Sequence, residues 1–242
     1  MIRMAVVELY ITDPTSESPA AWLGAAVAWL SPQERDRATR FTDARARAVH
    51  TTGWALMRLA VARSRSVEPR EVTIVKEDSG RPRILGRPPR QGSISHSAGR
   101  VAVAVTAARL IGVDLEYRDR DTKRLLAIAT RAFAPTEAER LLALPEQESA
   151  AEIIRYWTVK EALGKALGLN LMAALRTVVV EPAGAGLRLA ALPAGPAIGE
   201  WSLHQYALGT GPATLTLALA SPSAARPTLT HVSAEQLRTG EI

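Results

Sequence analysis

Stretches in which apolar residues recur every three or four positions alternate along this chain with stretches in which they recur every second position. These are the periods of a helix face and a strand face. VVELYITD reads as a strand, and an apolar helical stretch follows around Trp22 to Leu30. SPQERDRATRF places Ser31 as an N-cap, Pro32 at the first helical position and Glu34 three residues after the cap, which is a capping-box spacing. DARARAVHTTGWALMRLAVARS carries Val49, Trp54, Met57 and Val61 at helical intervals, and Gly53 weakens a continuous helix there. From Val72 the texture turns β-like in VTIVKED, SISHS and VAVAVT, separated by the turn chemistry of SGRPR, LGRPPRQG and SAGR. Residues 121–169 read as helical with breaks at Pro135 and Pro145, after which RTVVVEP, GLRLAAL, WSLHQYAL and ATLTLALA read as strands.

Helices followed by strands, twice over, predict an α+β protein with a loose internal duplication. The expected division is a half-domain over 1–110, a second over 111–221 and a C-terminal tail over 222–242. A length of 242 residues suffices for one large domain or two joined halves.

Composition narrows the classes. With 47% apolar and 22% charged residues the chain is globular, not disordered. No apolar run is long enough to span a bilayer, and MIRMAVVELYITD lacks the order of a secretory signal, so a cytoplasmic protein with no membrane partner is expected. The absence of cysteine removes disulfides, thiolate metal sites and cysteine nucleophiles. Net charge is +6, and residues 1–110 hold 17 Lys/Arg against 10 Asp/Glu. A basic half attracts nucleic acid, anionic membranes, phosphorylated small molecules or acidic proteins. Aromatics are only 5% and are not interleaved with the arginines as stacking platforms, which disfavours a nucleic-acid-binding module.

Candidate chemistry lies in two stretches. In IGVDLEYRD, alternation on a strand sends Gly112, Asp114 and Glu116 to one face. The two acids fit either the solvated end of a half-buried strand or a cation site, with Gly112 leaving room beside them. Two carboxylates with space for water suit Mg²⁺. In RYWTVKEALGKALGL, Trp157, Glu161 and Lys165 recur every four residues along one helix side, while Lys160 falls near the apolar stripe of Ile153, Trp157, Gly164 and Leu167. Glu161 and Lys165 fit a surface i, i+4 pair, or, with the Asp-x-Glu strand, carboxylates holding a cation and lysines holding phosphate. His96 between Ser95 and Ser97, and Arg81 after Gly80, could contact a phosphate or be ordinary turn and strand residues.

In that order, GRP, SISHS, GVDLE and WTVKEALGK resemble the 4′-phosphopantetheinyl transferases, specifically the larger kind that acts on peptide- and polyketide-synthase carrier proteins in secondary metabolite biosynthesis. The resemblance implies a pseudodimer of two similar α+β half-domains with the active site in the cleft between them, working as a monomer. It implies a Mg²⁺-dependent transfer of the phosphopantetheine arm of coenzyme A to a carrier-protein serine. Asp114, Glu116 and Glu161 would hold the metal, Glu161 would be the general base, and Lys165 would act near the pyrophosphate. Ser95, His96, Arg81 and Lys160 match coenzyme A-binding positions. SPQERDRATRF and VHTTG nominate Arg37, Arg45 and Thr52 around the 3′-phosphate. Glu34 stands where some relatives place a lysine, which shifts those contacts onto nearby arginines. Asn170 stands at the second glycine of a family Gly-x-Gly-Leu pattern. The rival readings are a Mg²⁺-dependent phosphohydrolase of coenzyme A or nucleotides, and the basic nucleic-acid-binding module.

Overall fold

A computed structural model describes residues 7–13, 18–77, 80–117, 121–209, 215–221 and 227–242, so the strand runs expected over 6–13 and 213–220 begin outside the described residues. The protein is α+β, and the chain divides into two compact units, one comprising residues 1–109 and 225–242 and the other 110–224.

The first unit begins with strand β1 (Val7–Thr12) and helices α1 (Pro19–Val27), α2 (Pro32–Thr39) and α3 (Ala44–Arg65). A hairpin of β2 (Ile74–Lys76) and β3 (Pro82–Ile84) and two longer strands, β4 (Gln91–Ser97) and β5 (Arg100–Thr106), follow. The expected capping box forms at α2: the Ser31 hydroxyl accepts from the Glu34 amide at 3.3 Å, and the Glu34 carboxylate accepts from the Ser31 amide at 2.7 Å. Helix α3 runs unbroken through Gly53. A Cβ there would lie 3.1 Å from Ile94 and 3.4 Å from Val101, so the glycine seats the helix on β4 and β5. Leu56, Met57 and Val61 of α3 and Val101, Val103 and Val105 of β5 are buried together in this unit's core.

The second unit comprises β6 (Gly112–Tyr117), α4 (Thr122–Ala132), α5 (Pro135–Leu142), α6 (Glu146–Leu167), α7 (Leu171–Thr177), a hairpin of β7 (Val179–Ala183) and β8 (Gly186–Ala191), and strands β9 (Ser202–Leu208) and β10 (Leu215–Ser221). The short α7 was not visible as periodicity. Gly168 ends α6 in the left-handed region at φ 72°, and Asn170 caps α7 by accepting from the Ala173 amide at 2.9 Å. Asn170 therefore starts a helix at the position that the resemblance assigned to a second glycine.

The element order repeats between the units: strand, helices that include one of 22 residues, hairpin, then two strands. In each sheet the last strand of the repeat lies in the middle, β5 between β1 and β4 and β10 between β6 and β9.

Residues 228–239, expected within a C-terminal tail, instead form β11 (Thr228–Val232) and α8 (Ala234–Thr239) of the first unit. β11 lies parallel to β1 with Leu9 opposite Leu229, and Trp29 donates its indole N–H to the Leu237 carbonyl at 2.7 Å. Val232, Leu237 and Ile242 are buried in that unit's core. A strand of five residues has no recognisable partner in sequence, because its pairing is a non-local event.

Gly112 does not leave space for a ligand. A Cβ at this position would fall 1.8 Å from the Ala162 carbonyl oxygen and 2.8 Å from the Ala166 amide nitrogen, so the position is filled by the backbone of α6. Gly112→Ala is expected to cost about 3 kcal/mol or more, at or beyond the upper end for overpacking, because rigid backbone must move. Gly24→Ala in α1, where nothing lies within 4 Å, is expected to be neutral or stabilising by up to about 1 kcal/mol. Urea unfolding of the two variants checks this contrast.

Candidate active site

With α6 seated on Gly112, the side of β6 that carries Asp114 and Glu116 meets the side of α6 that carries Glu161 and Lys165. Asp114, Glu116 and Glu161 each offer a carboxylate oxygen, and these atoms all lie within 4.8 Å of one another. Asp114 is only 2% exposed, whereas a solvated strand end was one of the two sequence expectations. The covering helix makes the difference.

Lys165 completes the group. Its ammonium donates to Asp114 Oδ1 at 2.7 Å and to the Val113 carbonyl at 3.2 Å, and it lies 3.7 Å from Glu161 Oε1. The i, i+4 partner is thus the more distant contact, and the tight one reaches across to β6. The Trp157 indole N–H donates to Glu161 Oε2 at 2.9 Å and fixes that carboxylate. Burial first, then the Asp114 charge, raises the Glu161 carboxyl above its ordinary range against the lowering by Lys165 and Trp157. For Lys165 burial works downward, but Asp114 and Glu161 outweigh it, so the ammonium is held above its usual value. Three hard oxygen donors this close together, beside the Lys165 ammonium, fit a divalent cation with oxygen preference.

Lys160 is not part of this group. It is fully buried, ion-paired with the equally buried Glu137, and its ammonium lies 4.6 Å from the centre of the Phe133 ring. Glu137 also accepts from the Val180 amide at 2.8 Å and the Ala134 amide at 3.0 Å, which ties α5, α6 and β7 together. Burial lowers the Lys160 pKa, with Glu137 opposing. The apolar stripe in the sequence already marked Lys160 as unsolvated. What it did not show was that the partner is an acid 23 residues earlier.

In the first unit, Arg37 lines a cavity of about 390 Å³ together with Glu34, His50, Trp54 and Lys76. His50 and Lys76 were missed by sequence reasoning. The imidazole of His50 is pushed down to about 4, by burial first and then by the positive charges of Lys76, Arg37 and His96. Thr52, in the same VHTTG stretch, is fully buried. Two residues on a helix turn by about 200°, so His50 and Thr52 cannot share a face, whereas His50 and Trp54 do. Arg45 is exposed in the first turn of α3 and is not among the cavity residues. Ser95 and His96 alternate on β4, Ser95 buried and His96 exposed, so they point to opposite faces of the sheet. Arg81 donates to Gln91 Oε1 at 3.2 Å beside the start of β4.

Residues 110–218 match the model of the 4′-phosphopantetheinyl transferase superfamily. The chain is 35% identical over 164 residues to 4′-phosphopantetheinyl transferase HetI of Nostoc sp., which covers 66% of this chain and 69% of the relative. It is 28% identical over 173 residues to 4′-phosphopantetheinyl transferase Sfp of Bacillus subtilis, covering 69% and 74% respectively. A rat relative, L-aminoadipate-semialdehyde dehydrogenase-phosphopantetheinyl transferase, is 26% identical over 165 residues, covering 64% of this chain and 53% of the relative.

The two lysines of α6 are expected to separate by experiment. Lys160→Met should destabilise the fold by about 3–5 kcal/mol, since it leaves the Glu137 charge buried and unpaired, and adding Glu137→Gln should recover part of that loss. Denaturant titration of the single and double variants reads this directly. His50 supplies a pH signature. Its folded pKa lies below its unfolded value, so the unfolded chain takes up the proton first as pH falls. The contribution to stability is complete above about pH 6.5 and is lost as pH falls toward about 4. His50→Gln should flatten that part of the stability–pH curve.

Proposed function

The chain belongs to the 4′-phosphopantetheinyl transferase superfamily, and we propose that it transfers the phosphopantetheine arm of coenzyme A to a serine of an apo carrier protein by the chemistry of the β6–α6 cluster. The cluster of Asp114, Glu116 and Glu161 braced by Lys165 is the observation that carries the reading. Asp114, Glu116 and Glu161 would hold Mg²⁺, which when bound neutralises charge on the pyrophosphate.

The carrier serine hydroxyl attacks the β-phosphorus, a new P–O bond forms, and the bond to the bridging pyrophosphate oxygen breaks. The leaving group is adenosine 3′,5′-bisphosphate. Glu161 takes the serine proton, directly or through water. The Trp157 indole keeps its carboxylate oriented for that transfer. The Lys165 ammonium offers hydrogen bonds to phosphate oxygens as charge develops.

In the first unit we assign the cavity of Arg37, His50 and Lys76 to the 3′-phosphate of coenzyme A, on the strength of the Arg37 and Lys76 charges in its lining. Ser95, His96 and Arg81 remain proposed phosphate contacts. Lys160, Thr52 and Arg45 are withdrawn from that set on the geometry above. The enzyme is further proposed to be a cytoplasmic monomer serving peptide- or polyketide-synthase carriers. No helix among the described residues is long and apolar enough to cross a membrane.

Intact-protein mass spectrometry of apo carrier domains with enzyme, coenzyme A and Mg²⁺ tests the reading: each modified carrier gains one phosphopantetheine, and chelation of the metal stops the reaction. Hydrolysis of coenzyme A without carrier modification would favour the phosphohydrolase alternative. Asp114→Asn is expected to abolish metal-dependent turnover. Lys165→Met is expected to lower the single-turnover rate by about 10²–10³-fold, the range for loss of one electrostatic stabiliser. An unchanged rate in folded Lys165→Met removes Lys165 from the chemistry.

A further inference from the structure

Glu34 is the acid among the residues lining the basic cavity of the first unit. An ionised carboxylate in that wall repels an anionic ligand, so its state decides what the cavity can hold. Both oxygens of the carboxylate accept hydrogen bonds from within the fold. Arg58 of α3 donates from Nη2 to both of its oxygens, at 3.0 and 2.9 Å, and the Ser31 amide donates to Oε2 at 2.7 Å. Both side chains are largely withdrawn from water, at 4% exposure for Arg58 and 11% for Glu34. Charge pairs screened this little by solvent hold their geometry and cancel each other's fields.

Arg58 does more than neutralise. Its other terminal nitrogen donates to the Pro69 carbonyl at 3.1 Å and to the Val72 carbonyl, immediately before the Thr73–Lys76 segment that lines the cavity. One guanidinium therefore ties together the start of α2, which carries Arg37, the strand that carries Lys76, and the helix that carries His50. Arg58 itself is not among the residues lining that cavity.

We infer that Arg58 is a positioning residue for anion binding: it holds the Glu34 carboxylate neutralised and turned into the helix cap, so that Arg37 and Lys76 present an uncancelled positive field to a phosphate, with neutral His50 beside them as a hydrogen-bond donor. The inference rests on the assignment of this cavity to the 3′-phosphate of coenzyme A. It accounts for an acid at a position where the resemblance led us to expect a base, since the Glu34–Arg58 pair contributes no net charge and the ligand's counter-charge comes from Arg37 and Lys76.

The test is the affinity ratio between coenzyme A and 3′-dephospho-coenzyme A, measured by calorimetry on the full chain. Wild type is expected to prefer coenzyme A. Arg58→Met should reduce that preference by about tenfold or more, as expected for an unneutralised carboxylate in a weakly screened cavity wall. Arg58→Met combined with Glu34→Gln should restore the preference to within about threefold of wild type, because the repelling charge is gone. Should Arg58→Met lack the wild-type circular dichroism spectrum, Arg58→Gln takes its place, since an amide keeps hydrogen-bond donors but carries no charge to neutralise Glu34. A folded Arg58 variant that keeps the wild-type preference overturns the inference. Equal losses in the single and double variants also overturn it, because a merely structural arginine is not rescued by neutralising Glu34. If wild type itself shows no preference for the 3′-phosphate, the assignment of the cavity fails and the inference falls with it.

Discussion

The geometry of the candidate active site depends on the close approach of α6 to β6. A helix normally packs on a strand through side chains on both elements, but here the strand contributes a hydrogen atom at Gly112, and the helix backbone at Ala162 and Ala166 fills the position. This lowers the helix until residues one turn apart, Glu161 and Lys165, stand level with Asp114 and Glu116. The same contact removes Asp114 from solvent, raises the Glu161 carboxyl by burial, and lets Lys165 reach the strand. One missing methyl group therefore sets both the distances and the electrostatics of the cluster.

Helix α6 carries two lysines five residues apart, and their environments separate their tasks. Lys160 is enclosed with an acid that is itself fully used by backbone amides, an arrangement that fixes neighbouring elements and has no spare acceptor for chemistry. Lys165 is 28% exposed and shares its charge among carboxylates that converge on one point. Both are ion-paired lysines, but only the second pair has access from outside. In the first unit the Glu34–Arg58 pair follows the pattern of Lys160: buried charges are consumed by each other and by backbone groups, leaving the less buried Arg37 and Lys76 to define the field of the cavity.

Local chemistry made much of the architecture legible. The Ser31–Glu34 capping box, the helix breaks at Pro135 and Pro145, and the strand alternation around Asp114 are each settled within a few residues, and the described elements follow them. The Asp-x-Glu strand and the Trp157–Glu161–Lys165 spacing likewise placed four groups on two defined faces. Short or non-local features were not legible. α7 is a single short helix set by two caps, and β11 is a strand only because β1 has an open edge to receive it.

By itself the sequence determined which residues share a face, because the helix and strand periods are fixed by the backbone, and it determined the family through motifs whose order is a property of the chain. Tertiary structure decided which faces meet and how much water remains between them. Those distances assigned Lys160 to Glu137 and Lys165 to Asp114, turned Gly112 from an apparent vacancy into a packing contact, and made His50, not Thr52, the cavity residue. Periodicity is encoded locally by every residue, whereas burial and charge pairing depend on groups far apart in sequence, and these become defined only when the chain has closed its cores.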